Sequence, residues 1–200
     1  MQTRSANPDP RRSDVTELLD AVMFAADRHR NQRRKDAEAS PYINHPIALA
    51  HLQATTGGVT DLDVLRAAIL HDTIEDTQTT ESELRSRFGD AVAAMVMEVT
   101  DDETLPKQRR KELQIEQAPD ISHGAALVKL ADKTCNLRDV AHAPPVGWTL
   151  ARRREYFEWA KRVVDRLPPV NDALLRAFAE AYAAKPEGDG SPGEECAPGR

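Results

Sequence analysis

The sequence predicts an all-α protein, a compact helical bundle of about eight to ten helices. Apolar side chains recur every three or four residues through most of its 200 residues, as they do along one face of an α-helix. No segment alternates apolar and polar residues in the way a half-buried strand does. The prolines at 119, 144–145 and 168–169 fall between the periodic segments, where they mark helix boundaries rather than domain boundaries. A single domain over residues 14–184 accounts for this pattern.

The first helix is predicted over residues 14–33, with Asp14 as its N-cap. Its apolar face comprises Val15, Leu18, Leu19, Val22, Met23 and Ala26. A polar loop at 36–41 follows, and then a helix from Pro46 to about Ala54 that ends before a Gly-Gly pair. Asp61 opens the next helix, which carries His71 and Asp72.

The second half of the chain is also helical. Thr80 and Glu83 form a capping box ahead of a short helix that ends near residues 88–89. The other predicted helices cover residues 90–99, 107–117, 122–142, 150–167 and 170–184. The two ends, residues 1–13 and 185–200, are rich in Pro, Gly, Ser and charged residues, and we expect both to be disordered tails.

Composition excludes several classes of function. The formal net charge of −6 argues against nucleic-acid binding, so an anionic small substrate would need a local basic cluster. No apolar stretch approaches the length of a membrane helix, and the polar N-terminus lacks the apolar core of a signal peptide. The two cysteines, Cys135 and Cys196, do not suggest a disulfide framework, so a reducing cytoplasm is the expected location. Oligomeric state cannot be read from the sequence.

The pair His71-Asp72 is the most informative feature, because it follows the apolar run 67–70 at the polar end of a helix. Imidazole nitrogen and carboxylate oxygen together suit a first-row divalent cation. Glu75 and Asp76 follow one helical turn later, so all four groups are expected to share one opening. A metal beside two further carboxylates is suited to hydrolysis, in which a carboxylate handles the proton of the attacking water.

Two other segments supply candidate ligands. His45 precedes a proline that can open a helix in its first turn. Asp132 lies in an apolar helical run, where an unpaired carboxylate is costly and requires a cation or a hydrogen-bond partner. Asn136 follows Asp132 by one turn. An isolated His-Asp pair is weak evidence for a metal site, but three segments that each offer such a ligand predict one.

These residues resemble a known family. The pattern of His45, His71-Asp72 and Asp132 resembles that of HD-domain metal-dependent phosphohydrolases. The surrounding sequence resembles the hydrolase domain of RelA/SpoT enzymes. Within that group it is most similar to the small alarmone hydrolases, typified by the metazoan SpoT homologue. The matching stretches are RKD at 34–36, YINHP at 42–46, LHDTIEDT at 70–77, EVTDD at 98–102, TLPK at 104–107, EQAP at 116–119, KLADK at 129–133, NLRD at 136–139 and EYFEWA at 155–160. The resemblance covers about residues 18–167.

The resemblance implies a metal and a set of roles. The four ligands would be His45, His71, Asp72 and Asp132, and the metal would be one Mn²⁺ per chain, although the ligand types alone also admit iron, zinc or magnesium. Glu75 and Asp76 would be the catalytic carboxylates, in an order that the sequence does not assign. The residues implied to contact the substrate are Arg34, Lys35, Tyr42, Lys107, Asn136, Arg152 and Tyr156.

The substrate implied is guanosine tetraphosphate or pentaphosphate, cleaved at its 3′-pyrophosphate to give GDP or GTP and pyrophosphate. The chain lacks the length for a synthetase domain, so we expect hydrolysis only. Removal of the 2′-phosphate of NADPH at the same site is an alternative, since both substrates carry phosphate on the ribose. A nucleotide-binding module without catalysis is a third reading, against which the intact ligands and carboxylates argue. Cys135 and the remaining histidines are expected to be non-catalytic.

Overall fold

The computed structural model describes residues 13–187, and within that range the regular structure is helical apart from one isolated bridge between Arg33 and Pro41. The all-α prediction is confirmed. A short 3₁₀ helix (Ala118–Asp120) lies between the seventh and eighth α-helices. The ten α-helices of the described range are α1 (Asp14–Arg28), α2 (Asn44–Thr55), α3 (Leu62–Leu70), α4 (Thr73–Asp76), α5 (Glu81–Phe88), α6 (Asp90–Val99), α7 (Lys107–Gln117), α8 (His123–His142), α9 (Leu150–Val164) and α10 (Asp172–Ala183).

Local capping residues fix most of the helix starts. The side chain of Thr80 accepts a hydrogen bond from the backbone N–H of Glu83 at the start of α5, as the capping box predicts. Asp61 caps α3 in the same way. The C-cap of α5 is Gly89, whose φ of +92° is a conformation that favours glycine. The predicted bounds of α6 and α7 agree with the structure.

The first helix differs from its prediction at both ends. Ser13 rather than Asp14 is the N-cap, since its side chain accepts a hydrogen bond from the N–H of Thr16. The helix ends at Arg28, five residues early, because the backbone from residue 32 onward pairs with residues 40–42 instead. The N–H of Arg34 donates to the carbonyl of Ser40 in this pairing. Arg34 and Lys35 therefore lie on a loop beyond the helix.

A second correction concerns His71 and Asp72. They do not lie within one continuous helix, because α3 ends at Leu70 and α4 begins at Thr73. His71 is the C-cap of α3 and Asp72 is the N-cap of α4. The last two helices are also shorter than predicted, and the side chain of Asn171 caps the start of α10.

The long helix α8 runs through the centre and packs against α2, α3, α6, α9 and α10. Its Val128, Leu130 and Leu137 are fully buried, so the helix that carries Asp132 is held on several sides by the core. Among the described residues, no helix is long and apolar enough to cross a bilayer. The predicted disordered tails lie almost entirely outside the described range.

Candidate functional site

The junction of α3 and α4 sets the orientation of His71. Its Nδ1 donates to the carbonyl oxygen of Ala68, 2.9 Å away. In the neutral ring that nitrogen carries the proton, so Nε2 is the atom left to bind a cation. The Oδ2 atom of Asp72 lies 2.8 Å from this Nε2. The chain thus aims one nitrogen and one carboxylate oxygen at the same point.

The other two predicted ligands come from α2 and α8. Nε2 of His45 lies 3.2 Å from Oδ1 of Asp132, and Nε2 of His71 lies 3.9 Å from the same oxygen. One ligand atom from each of His45, His71 and Asp72 fits within 4.8 Å of the others. The four residues predicted from the sequence therefore converge on one site.

The donor set fits a divalent metal. Nε2 of His71 is buried without a hydrogen-bond partner among the described residues. Burial lowers the pKa of His71, but the charges of Asp72 and Asp132 outweigh it and raise that pKa to about 9. The two negatively charged carboxylates beside the imidazole nitrogens repel each other, and a bound cation would offset that repulsion. Mixed nitrogen and oxygen ligation suits a first-row divalent ion.

Neighbouring side chains hold the ligands in place. The hydroxyl of Tyr42 donates to Oδ2 of Asp72. Asn136 donates through Nδ2 to Oδ1 of Asp132 at 2.6 Å, and Nζ of Lys133 lies 3.0 Å from the other oxygen of that carboxylate. Such partners orient ligands and tune the bound ion. Tyr42 and Asn136, both implied substrate contacts, also support the metal ligands.

The two predicted catalytic carboxylates face different spaces. Glu75 lines the same cavity as the ligands, and its Oε2 accepts from the backbone N–H of Asp101 at 3.1 Å. Burial raises the pKa of Glu75 to about 7. Asp76 is exposed and accepts a hydrogen bond from Nε2 of Gln32 at 2.8 Å. The expectation that Glu75 and Asp76 share one opening with the ligands therefore holds for Glu75 only, because successive residues of a helix point about 100° apart.

Three cavities adjoin one another at the site. The metal cavity, of about 130 Å³, is lined by the four ligands and Glu75. The large cavity, of about 670 Å³, lies beyond His45 and is lined by the loop 32–36, by α2 and by the end of α8. The aromatic cavity, of about 550 Å³, is lined by Trp148, Tyr156 and Trp159. The large and aromatic cavities each share lining residues with the metal cavity, and the three neighbouring cavities are together called the cleft below.

The implied phosphate contacts flank the metal cavity on the side of the large cavity. Arg34 forms an ion pair with Asp139, and its guanidinium lies 5.6 Å from the centre of the Tyr42 ring. Arg34 lines both the metal cavity and the large cavity. Lys35 is exposed. It lines the large cavity but neither of the other two cavities. Both cations are thus within the cleft.

The remaining implied contacts lie together at the aromatic cavity. Lys107 and Arg152 supply exposed cations there, and Tyr156 forms part of the wall. The guanidinium of Arg152 stacks on Trp148 at 4.4 Å from the ring centre. Cationic and aromatic groups in one cavity favour a phosphate next to a planar or sugar group.

Sequence reasoning did not assign roles to several residues of the cleft. Lys129 and Lys133 are buried at the metal cavity, and Gln114 there donates to both carboxylate oxygens of Asp101. Burial lowers the pKa of Lys129 to about 8. Both lysines lie in the KLADK stretch, four residues apart, and that spacing in an apolar run was the available signal.

The residues expected to be non-catalytic lie outside the metal cavity. His29 is buried against Tyr42 and contacts the side chain of Gln32. His51 and Cys135 line the large cavity, where burial raises the pKa of the Cys135 thiol to about 12. A thiol with that pKa is a poor nucleophile at neutral pH. Cys196 lies outside the described residues.

The chain is similar to known proteins over most of its length. A family model described as HD domain matches residues 21–156. Guanosine-3′,5′-bis(diphosphate) 3′-pyrophosphohydrolase MESH1 from mouse is 53% identical over 170 residues, which span 85% of this chain and 95% of that protein. The human protein of the same name is 54% identical with the same coverage.

A solved structure has the same fold. It is described as a metazoan orthologue of SpoT that hydrolyses ppGpp, and it superposes with a TM-score of 0.81 at 43% identity. The superposition covers 89% of this chain and 97% of that one. The converging ligands, the helical fold and these matches agree, and the chain belongs to the HD-domain family, where it groups with the metazoan SpoT homologues.

Proposed function

We propose that this protein is a Mn²⁺-dependent phosphohydrolase that cleaves the 3′-pyrophosphate of guanosine tetraphosphate or pentaphosphate, giving GDP or GTP and pyrophosphate. The observation that carries the proposal is the convergence of His45, His71, Asp72 and Asp132 beside Glu75. The mouse and human relatives carry the name of this activity, and the solved relative is described as hydrolysing ppGpp. We expect this protein to hydrolyse the nucleotide and to have no synthetase activity.

The four ligands would hold the ion, which supplies Lewis-acid polarisation of the scissile phosphate and a more acidic water. Glu75 lines the metal cavity together with the four ligands, where it would exchange a proton with the attacking water. A carboxyl with a pKa of about 7 is suited to that exchange near neutral pH. Asp76 faces the large cavity and would help protonate the leaving ribose oxygen on that side.

The cavities support a specific orientation of the substrate. The large cavity has room for the base and ribose, with Asn136 and Lys35 on its wall. Arg34 borders both the large and the metal cavities, where its planar fork can bind oxygens of the 3′-phosphates. Lys107 and Arg152 would then bind the 5′-diphosphate at the aromatic cavity, against the Tyr156 ring.

A second candidate activity is removal of the 2′-phosphate of NADPH at the same metal. The aromatic cavity favours it, since Trp148, Tyr156 and Trp159 offer room of about 550 Å³ and stacking surfaces for a second nucleotide half. We propose it as a lesser activity, because Arg34 and Lys35 gain more contacts from a pyrophosphate than from a single phosphate. The expected partners are small nucleotides rather than nucleic acid or membrane, in the cytoplasm.

Product analysis tests the proposal. The purified chain is incubated with guanosine tetraphosphate and MnCl₂, and the products are separated by anion-exchange chromatography. We expect GDP and pyrophosphate in equal amounts, no reaction after chelation, and recovery when Mn²⁺ is returned. Release of orthophosphate instead of pyrophosphate, or turnover that survives chelation, would contradict the proposed reaction.

A further inference from the structure

Asp139 lies between two functional groups of the cleft. Its Oδ2 pairs with Nη2 of Arg34, and the same oxygen is 3.9 Å from Nδ1 of the metal ligand His45. Asp139 is on α8, close to two turns after Asp132, and its side chain is 46% exposed at the large cavity. One carboxylate oxygen therefore faces both a cation of the predicted phosphate site and a ligand of the predicted metal site.

Nδ1 of His45 lacks a hydrogen-bond acceptor among the described residues. Nε2 of the same ring lies 3.2 Å from Oδ1 of Asp132, so this is the nitrogen that would bind a metal held by Asp132, and a ring bound through Nε2 carries its proton on Nδ1. The side chain is 2% exposed, and Nδ1 has no hydrogen-bond partner among the described residues. Buried ring N–H groups of metal-bound histidines are normally paired, most often with a carboxylate or carbonyl oxygen. Asp139 offers the carboxylate, about 1 Å beyond hydrogen-bond distance.

Arg34 competes for that same oxygen. As long as its guanidinium holds Oδ2 of Asp139, that oxygen stays 3.9 Å from Nδ1 of His45, beyond hydrogen-bond distance. A phosphate group that binds Arg34 offers the guanidinium other oxygens and so frees Asp139 to accept from Nδ1 of His45.

We propose that Asp139 is a positioning residue that couples phosphate binding at Arg34 to metal binding at His45. Occupation of Arg34 by phosphate strengthens metal ligation through Asp139, and by reciprocity the bound metal strengthens phosphate binding. The inference rests on the metal site of the proposed function but not on the identity of the nucleotide.

The test measures Mn²⁺ affinity by calorimetry on the metal-free chain, without substrate. Asp139→Asn should weaken Mn²⁺ binding by about 10-fold to 100-fold, the range found for such partners of metal ligands. Arg34→Met frees Asp139 and should tighten Mn²⁺ binding by about 5-fold or more. Lys35→Met is the matched control, since it removes a neighbouring charge of the same cavity without a described contact to Asp139.

The double variant separates coupling through Asp139 from simple loss of a positive charge. Arg34→Met in the Asp139→Asn background should leave Mn²⁺ affinity unchanged within about two-fold. The inference is overturned if Arg34→Met and Lys35→Met change the affinity equally, or if the effect of Arg34→Met persists in that background. Wild-type protein that fails to bind Mn²⁺ would overturn the proposed function together with this inference, whereas the other two results overturn the inference alone.

Discussion

Nε2 of His45 lies 3.2 Å from Oδ1 of Asp132, although 87 positions separate the two residues in the chain. This contact brings α2 against the middle of α8, and His71 joins them from the end of α3. A cation bound there would link three segments that otherwise meet through apolar packing. The metal is therefore expected to contribute to stability as well as to chemistry.

Asp132→Ala should abolish both effects of the metal. We expect Mn²⁺ to bind the folded state and so to raise the thermal unfolding midpoint of the wild type by mass action, whereas the variant should show no such rise and no metal-dependent turnover. Circular dichroism and calorimetric scans with and without Mn²⁺ measure this. Asp165→Ala, an exposed carboxylate that pairs with Lys161, is the control and should respond to Mn²⁺ as the wild type does. Wild-type turnover in Asp132→Ala after chelation and Mn²⁺ readdition would refute the ligand assignment.

Glu75→Gln should separate chemistry from binding. The amide keeps the shape of the side chain but cannot exchange a proton, so kcat should fall by about 100-fold or more with KM nearly unchanged. Asp76→Asn should also lower kcat by that factor, with a larger effect on KM, since Asp76 faces the large cavity. Steady-state kinetics provide both values. Loss of substrate binding in Glu75→Gln, measured by calorimetry, would assign Glu75 to structural support instead.

The raised pKa of Glu75 predicts a pH dependence of stability in the metal-free protein. Its pKa is about 7 in the folded state against 4.5 ordinarily, because burial disfavours the charged form. The folded state therefore binds this proton more tightly, and the associated stability is complete below about pH 4.5 and lost as pH rises through about 7. From pH 5 to pH 8 the wild type should lose up to about 3 kcal/mol relative to Glu75→Gln. If the denaturation midpoints of the two proteins changed equally with pH across that range, the raised pKa of Glu75 would be contradicted.

Arg152→Ala should weaken substrate binding with little change in kcat, because its cation lies at the aromatic cavity and away from the metal ligands. One charge-assisted contact contributes about 1.5–3 kcal/mol, which corresponds to roughly a 10-fold to 100-fold rise in KM. The two tryptophans of the chain, Trp148 and Trp159, both line this cavity, so their fluorescence reports on occupancy. Arg176→Ala, an exposed cation on α10, is the control. An unchanged KM in Arg152→Ala would contradict the proposed binding of the 5′-phosphates at the aromatic cavity.

The helices whose ends are set by local chemistry could be predicted from the sequence. α6 and α7 agree because glycine, proline and charged residues bound them in the chain itself. The end of α1 could not be predicted, because the segment after Arg28 gains backbone hydrogen bonds with residues 40–42 that no local pattern encodes. The convergence of the ligands was predictable because buried His and Asp residues in three segments require a common partner.

The directions of individual side chains in the cleft were harder to predict. Glu75 and Asp76 are adjacent in sequence, yet one faces the metal cavity and the other the large cavity, which depends on how α4 is set after the break at His71. The burial of Lys129 is likewise a property of packing between α8 and its neighbours. Tertiary contacts, not local propensity, decide these features.

The preference between two substrates distinguishes the alarmone reaction from its alternative. With added Mn²⁺, kcat/KM is measured side by side for guanosine tetraphosphate and NADPH, in the wild type, Arg34→Ala and Lys35→Ala. We expect a higher wild-type kcat/KM for guanosine tetraphosphate, and a larger loss for it than for NADPH in both variants, because its 3′-pyrophosphate can accept more charge-assisted contacts of about 1.5–3 kcal/mol each. A higher kcat/KM for NADPH, or equal losses for both substrates, would contradict the alarmone assignment and leave only a metal-dependent phosphohydrolase.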